Sequence, residues 1–380
     1  MKKLEAAGRA LLLVVLTALP VALRAQDIPT GGNPNQNDNT GFGTTSAEFL
    51  LLGAGARGTA LGGAYGALAN DVSALYYNPA GVALLEKPGL TVGTYNYVAG
   101  TNYTWGGVAF PFSGGSRTIG FQIGTFGFKN QPVYTEEQPD GTGATYSVSE
   151  TFLGGTFAQN FSDRFSAGLT LKYVNDRLGT VSGSAIAVDF GTNFHASLAG
   201  HPVKFAFTLA NLGSNLNYSG TGLRGDVPRT PIPGQDSVPT LPQQSDLTTK
   251  DFPLPTIFRV GLAYDMISSD NNRLTVLGDF NQPNSNKPGF AFGGEWATDR
   301  LGGSNFGFAV RGSYSHTGAN SVPLTAASTT ALSDEEKLQG LAFGGGVGYT
   351  TTGFSLGLDY AYKYLGILGP TNFFSFSLGW

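Results

Sequence analysis

The amino-acid sequence predicts an all-β membrane protein: a 14-stranded antiparallel transmembrane β-barrel with an N-terminal hatch of short helices in its lumen. Three observations lead there. Charged residues make up 13% of the chain, where soluble domains carry about 25%, while 56 Gly, 27 Phe and 16 Tyr are spread through its 380 residues. No run of about 18 apolar residues offers a membrane-spanning helix, which leaves the closed sheet as the structure that satisfies its backbone in lipid. From Leu90 to Trp380, apolar and polar residues alternate with the period of a strand.

Residues 1–25 read as a secretory signal peptide. Lys2, Lys3 and Arg9 form a basic start, Ala10 to Leu19 an apolar core, and Pro20 to Ala25 an exit before Gln26. The core is about half the length a bilayer-spanning helix needs, so removal rather than anchoring is expected. Removal takes four basic residues and Glu5 with it, leaving 18 Lys+Arg against 25 Asp+Glu. An acidic balance gives no footprint for nucleic acid. The chain has no cysteine, so stability must come from packing and backbone pairing rather than disulfides. Residues 26–45 form a flexible polar segment.

Residues 46–88 break the period-two rule. They open with "SAEFLLLGAGARGTALGGAYGALANDVSALYYNPAGVALLE". Ala60, Leu61, Ala64, Tyr65 and Leu68 recur at helical spacing, which predicts one or two short helices. Asn70-Asp71 is placed as a helix cap and Asn78-Pro79 as a stop or turn. Such a segment, carrying Phe49 and Leu50 to Leu52, hides its apolar side chains by packing inside a barrel.

Fourteen strands follow, near 90–98, 103–112, 117–128, 147–160, 164–176, 183–197, 202–212, 255–266, 272–282, 289–298, 303–316, 338–350, 353–364 and 371–380. An even number puts both ends of the barrel, 89–380, on one side of the membrane. Loop length sorts by parity. The connections after even-numbered strands are all short, as periplasmic turns are, while the long ones, 129–146, 213–254 and 317–337, follow strands 3, 7 and 11 and fall on the external side. Six prolines between Pro228 and Pro253 keep 213–254 out of a central ladder. A linker between domains would read similarly, but the alternation resumes after it.

The same phase assigns a side to each charge. Lys172, Asp189, His195, Lys204, Arg259, Asp279, Glu295, Arg311, Asp359 and Lys363 point into the lumen. Charges of both signs there pair with one another and with whatever fills the barrel; a solute-selecting constriction is the sharper alternative. The last strand presents Phe374, Phe376, Leu378 and Trp380 outward, the aromatic end expected of a signal read by a barrel-assembly machinery.

Catalysis has little to work with. There is no Cys, and the three imidazoles are His195, His201 and His316; His201 falls in a periplasmic turn and His316 at an external strand end on the lipid-facing phase, and no Ser or acid stands at an interpretable spacing from His195. No cluster has metal-ligand spacing, and neither metal nor cofactor is expected. "GAGARGTALGG" has the glycines of a dinucleotide loop but lacks the strand–helix–strand unit around it.

The stretch Ala47 to Ala83 resembles the N-terminal signature of the PorV/PorQ family of outer-membrane proteins, within the FadL-like superfamily. The likeness rests on the Phe-Leu start, Gly-Ala-Arg, Gly-Gly-Ala, an acidic residue before a short helix, and Asn-Pro-Ala-Gly. It implies a 14-stranded barrel in the bacterial outer membrane, with Arg57, Asp71, Tyr76, Asn78, Pro79 and Gly81 in a luminal hatch. It also implies a role in protein export as a type IX secretion-associated carrier, with secretion subunits or exported cargo as partners. The alternative is a FadL-like passive channel for small hydrophobic molecules such as fatty acids. Outer-membrane lipid is a partner in either case.

Overall fold

The computed structural model describes residues 41, 43–227, 243–269, 271–318 and 338–380. The signal peptide, most of the 26–45 segment, the centre of the 213–254 loop and most of the 317–337 loop lie outside the described residues.

The strands of the barrel are β1 (Gly89–Asn96), β2 (Asn102–Phe112), β3 (Arg117–Pro132), β4 (Thr145–Ser162), β5 (Phe165–Leu178), β6 (Val181–Leu198) and β7 (His201–Gly213). They continue with β8 (Ile257–Ser268), β9 (Asn272–Pro283), β10 (Gly289–Thr298), β11 (Phe306–Thr317), β12 (Leu341–Thr350), β13 (Ser355–Tyr364) and β14 (Pro370–Gly379). Each pairs antiparallel with its sequence neighbour. β1 meets β14 from Gly89↔Gly379 to Tyr95↔Phe373, so the sheet has no free barrel edge. Closure satisfies every strand's backbone without water, as a lipid environment demands.

Two of the expected strand starts move inward by three residues. β11 begins at Phe306 and β12 at Leu341, because residues 301–303 form a 3-10 turn and 338–340 a turn. The β3–β4 hairpin runs further than the alternation suggested, to Pro132 and Thr145. Its outer part is exposed on both faces, so an apolar pattern could not have marked it.

Along β5 and β6 every second residue is buried, and the residues between include exposed Leu169, Leu171, Tyr173 and Ile186. The same outward apolar row appears on the other strands, for example Phe121, Phe292, Val310, Leu358 and Phe376. A surface this apolar around the whole ring fits hydrocarbon rather than water. No helix among the described residues is long and apolar enough to cross a membrane.

The core lies inside the ring and is built largely by residues 47–83. Helix α1 (Ala56–Ala60) contacts β11 to β14, while the 3-10 turn Pro79–Leu84 contacts β3 to β6. A segment touching opposite walls of a closed ring lies across its lumen. The helical period read through Leu68 stops at Ala60. Gly62 and Gly63 take φ of +66° and +85°, a left-handed conformation in which a helix cannot continue, and residues 61–68 are turns. A second helix, α2 (Ala74–Tyr77), follows. The expected cap at Asn70-Asp71 moves to Ser73, whose amide and hydroxyl donate to Asp71 Oδ1.

Candidate functional site

The luminal segment is fixed to the wall at two places. At the first, Arg57 leaves α1 and meets Glu295 of β10 through two parallel bonds of 2.8 Å, Nε to Oε2 and Nη2 to Oε1. Its third nitrogen, Nη1, donates to Asp71 Oδ2 at 2.9 Å and Asn70 Oδ1 at 3.0 Å, and the guanidinium lies 5.2 Å from the Tyr65 ring centre. Glu295 is fully buried and also accepts from Arg311 Nε at 2.7 Å and Arg273 Nη2 at 3.1 Å. Arg311 passes on to Asp359 at 2.5 Å. Three guanidiniums on one carboxylate, with two more carboxylates at the ends, keep a buried cluster close to neutral, the condition under which charges persist away from water.

Burial by itself would raise the Asp71 carboxyl; the Arg57 charge and hydrogen bonds from Ser73 and Tyr65 outweigh it and hold Asp71 below the usual carboxylate range. Burial pushes the Tyr77 phenol up to about 12. Tyr77 therefore stays neutral, with its ring 5.2 Å from Tyr65 and 4.9 Å from Tyr76. Both ring pairs meet edge to face within the segment, and the Tyr76 hydroxyl also bonds to Arg259 of the wall. Gly58 makes room for Tyr77, since a Cβ there would come within 2.4 Å of its ring.

At the second place the bonds are neutral. Asn78 Nδ2 donates to Gly66 O and across to Thr192 O of β6, while its Oδ1 accepts from Ala80 N and caps the turn that Pro79 opens. Gln122 of β3 donates to Leu75 O at 2.6 Å, Asn160 of β4 to Ala83 O at 2.7 Å, and Ser166 of β5 to Ala80 O at 3.3 Å. The wall is pared back to admit the turn. A Cβ on Gly168 would meet the Pro79 carbonyl carbon at 2.4 Å, and one on Gly191 the Asn78 amide oxygen at 2.1 Å. Gly81 packs against the Ala69 carbonyl inside the segment.

Other inward charges settle locally. Lys172 and Asp189 are 2.6 Å apart, and Asn211, which bulges from β7 with φ of +60°, bonds to both. This pair shapes the wall. Lys204 lies 3.8 Å from Asp265. Asp279 is buried beside the Gly66 backbone with the Arg259 charge acting on it, and among the described residues His195 Nε2 has no hydrogen-bond partner. The C-terminal Phe374, Phe376 and Trp380 are exposed and Leu378 is half-buried. Among the described residues no three His, Asp or Glu side chains come together as a metal-binding group.

Two cavities flank the segment. One, of about 560 Å³, opens between it and the ends of β8 to β11 on the side of the long connections, and reaches β13 and β14. Tyr76, Tyr77, Leu51, Ile257, Phe290 and Phe373 give it apolar wall, with Arg259, Lys287 and Lys363 among them and Glu48 at the side. Neither Arg259 nor Lys363 makes an ion pair with a described residue, though Arg259 bonds to the Tyr76 hydroxyl and its charge acts on Asp279, while Glu48 is engaged with Thr45 and Ser285. The second cavity, of about 320 Å³, lies at the opposite end under Leu84, between the turns at 114–116 and 161–165 and beside Asn193 and His195.

Sequence reasoning missed several participants. Gln122, Asn160 and Ser166 are uncharged, and nothing in an alternating strand separates a polar residue that grips a luminal segment from one that does not. Asp176 and Glu150 were within reach, because the phase that turns Lys172 inward also turns Asp176 inward, and Glu150 stands directly opposite it.

The chain matches no protein-family profile and no curated protein. Solved structures do match. The toluene transporter TbuX of Ralstonia pickettii shares 13% identity, with 87% of this chain and 98% of that one covered and a TM-score of 0.52. The CymD monoaromatic hydrocarbon channel shares 12%, with 87% and 97% covered and a TM-score of 0.51. A FadL homologue from Pseudomonas aeruginosa aligns more loosely, at 12% identity, 86% and 98% coverage and a TM-score of 0.48. At these identities the likeness is one of fold.

Proposed function

We propose that this chain is a bacterial outer-membrane barrel that admits small hydrophobic molecules bearing an acidic group, through the external cavity and past the luminal segment. The observation that carries this reading is the cavity itself, in which aromatic wall surrounds Arg259 and Lys363, neither of them held in an ion pair with a described residue. An apolar body fits the rings, and an anionic head fits the cations at Arg259 and Lys363. The proteins that share the fold above the loosest level are named for toluene and monoaromatic hydrocarbon transport. This reverses the order of the two roles expected from the sequence. The PorV/PorQ resemblance suggested protein export, and neither the cavity nor these likenesses adds to that suggestion.

The test is binding and uptake by the full-length mature protein in lipid nanodiscs and liposomes, with decanoate and toluene as probes. Decanoate should bind and enter, and Arg259→Gln or Lys363→Met should weaken its binding about tenfold, the loss of one charge-assisted contact, with toluene unaffected. Equal handling of decanoate by the wild type and both variants would sink the acidic-head reading. Recovery of the mature chain from the soluble periplasm would sink the membrane placement. Co-purification of exported proteins from native membranes, without bound lipid or acid, would restore the carrier role.

A further inference from the structure

At the external end of β4 and β5, away from the cavity, Glu150 and Asp176 face each other directly across the ladder. Like charges at such a position repel. Both are inward, on the phase that buries Phe152 and Val174 completely beneath them. Among the described residues no cation relieves them. Lys172, the nearest inward one, is held by Asp189 at 2.6 Å and Asn211 at 2.9 Å. Asp176 is 3% exposed and its Oδ1 has no partner. Glu150 makes no hydrogen bond or ion pair with a described residue.

Two further oxygens close over the pair. The Tyr218 hydroxyl donates to Asp176 Oδ2 at 2.5 Å and is bonded to the Ser46 hydroxyl. Tyr218 belongs to a strap made by the two ends of the long external loop. Leu216 bridges to Phe252 in both directions, and Thr249 bonds to Tyr218 through its amide and its hydroxyl. Ser46 N donates to Pro253 O at 3.1 Å, tying the start of the luminal segment to the same strap. Wall, strap and luminal segment thus converge on one cluster of oxygens.

We propose that this cluster is a divalent-cation site, taking Ca²⁺ from the external medium and clamping the strap and the Ser46 end of the luminal segment to the barrel wall. An all-oxygen donor set of two carboxylates and two hydroxyls suits a hard cation, with water completing the shell. Two carboxylates rather than three or four give a weak site, in the range of extracellular modules that respond to roughly 0.1–1 mM Ca²⁺. The proposal does not depend on what the cavity binds.

The test uses purified full-length mature protein in detergent, with Tb³⁺ as a luminescent stand-in and Ca²⁺ as competitor. Tyr218 at the site should sensitise Tb³⁺ emission that Ca²⁺ displaces, and Glu150→Gln and Asp176→Asn should each weaken that displaceable binding by about tenfold or more. Adding CaCl₂ in place of EDTA, at matched ionic strength, should raise the gel-shift unfolding temperature of the wild type but not of Glu150→Gln. Glu150 is only half-buried, so that variant should fold. Absence of displaceable emission, equal affinity in the variants, or stabilisation by acidification with no response to Ca²⁺ would overturn the proposal; the last outcome would mean that the acids share a proton.

Discussion

The two attachments of the luminal segment differ in kind. On the β10–β13 side, one arginine reaches a buried carboxylate that two wall arginines already serve. On the β3–β6 side, a proline turn is pressed against glycines and held by three neutral side-chain bonds from three different strands, with Asn78 adding a fourth. The first is strong only while every partner is present, because a buried charge that loses its counter-charge costs more than the pair contributes. The second is distributed, and each neutral bond adds about 1 kcal/mol. The charged attachment is therefore the one a single event can undo.

The largest effect should come from Glu295. Glu295→Gln keeps the shape and removes the charge on which Arg57, Arg311 and Arg273 converge. Breaking a buried network in this way costs about 3–5 kcal/mol. The variant should show a clear drop in gel-shift unfolding temperature and, in planar bilayers, conductance bursts that the wild type lacks. Unchanged stability and a silent bilayer trace would mean that the network carries no load and the contrast between the two sides is false.

Crowding the other side should come next. Gly168→Val places carbon where Pro79 already sits, and overpacking of this kind costs about 1–3 kcal/mol. The strand should still form, since valine suits a sheet, so the barrel should stay heat-modifiable while the Pro79–Leu84 turn becomes accessible to protease. Resistance equal to the wild type would show that the turn is not gripped there.

The barrel was legible because membrane strands must alternate, and the parity of loop lengths orders them without any knowledge of function. Charges such as Glu295 and Arg311 were legible for the same reason, since phase gives each a side. Their partners were not. That Arg57 would meet Glu295 rather than Asp279 depends on how deep α1 sits, and α1 ends at Ala60 because Gly62 and Gly63 turn left-handed. The external cavity was illegible too, because its walls come from residues between Gly43 and Phe373 that no local pattern connects.

Asn78 tests whether the neutral side is truly distributed. Asn78→Ala loses two donated bonds and the cap on Ala80. Gln122, Asn160 and Ser166 still hold the neighbouring backbone, so the expected cost is about 1–2 kcal/mol, the size of one lost cap. Chemical denaturation in detergent would measure it. A loss as large as that of Glu295→Gln would make Asn78 the central pin and end the distinction drawn above.

The smallest effect isolates the outer arm of the charged side. Asp71 bonds to Arg57 and Tyr65, but its side chain is 36% exposed, so water screens much of the interaction and Asp71→Asn should cost under about 1 kcal/mol. Its pH signature is what separates it from a packing change. The folded carboxyl lies below its ordinary range, so its contribution is complete above the unfolded value of about 4 and disappears as pH falls through the folded value. The stability difference between wild type and Asp71→Asn should therefore be constant at neutral pH and shrink to zero on the acid side. A difference that persists unchanged in acid would assign Asp71 a shape role, leaving Glu295 and Asn70 to hold Arg57.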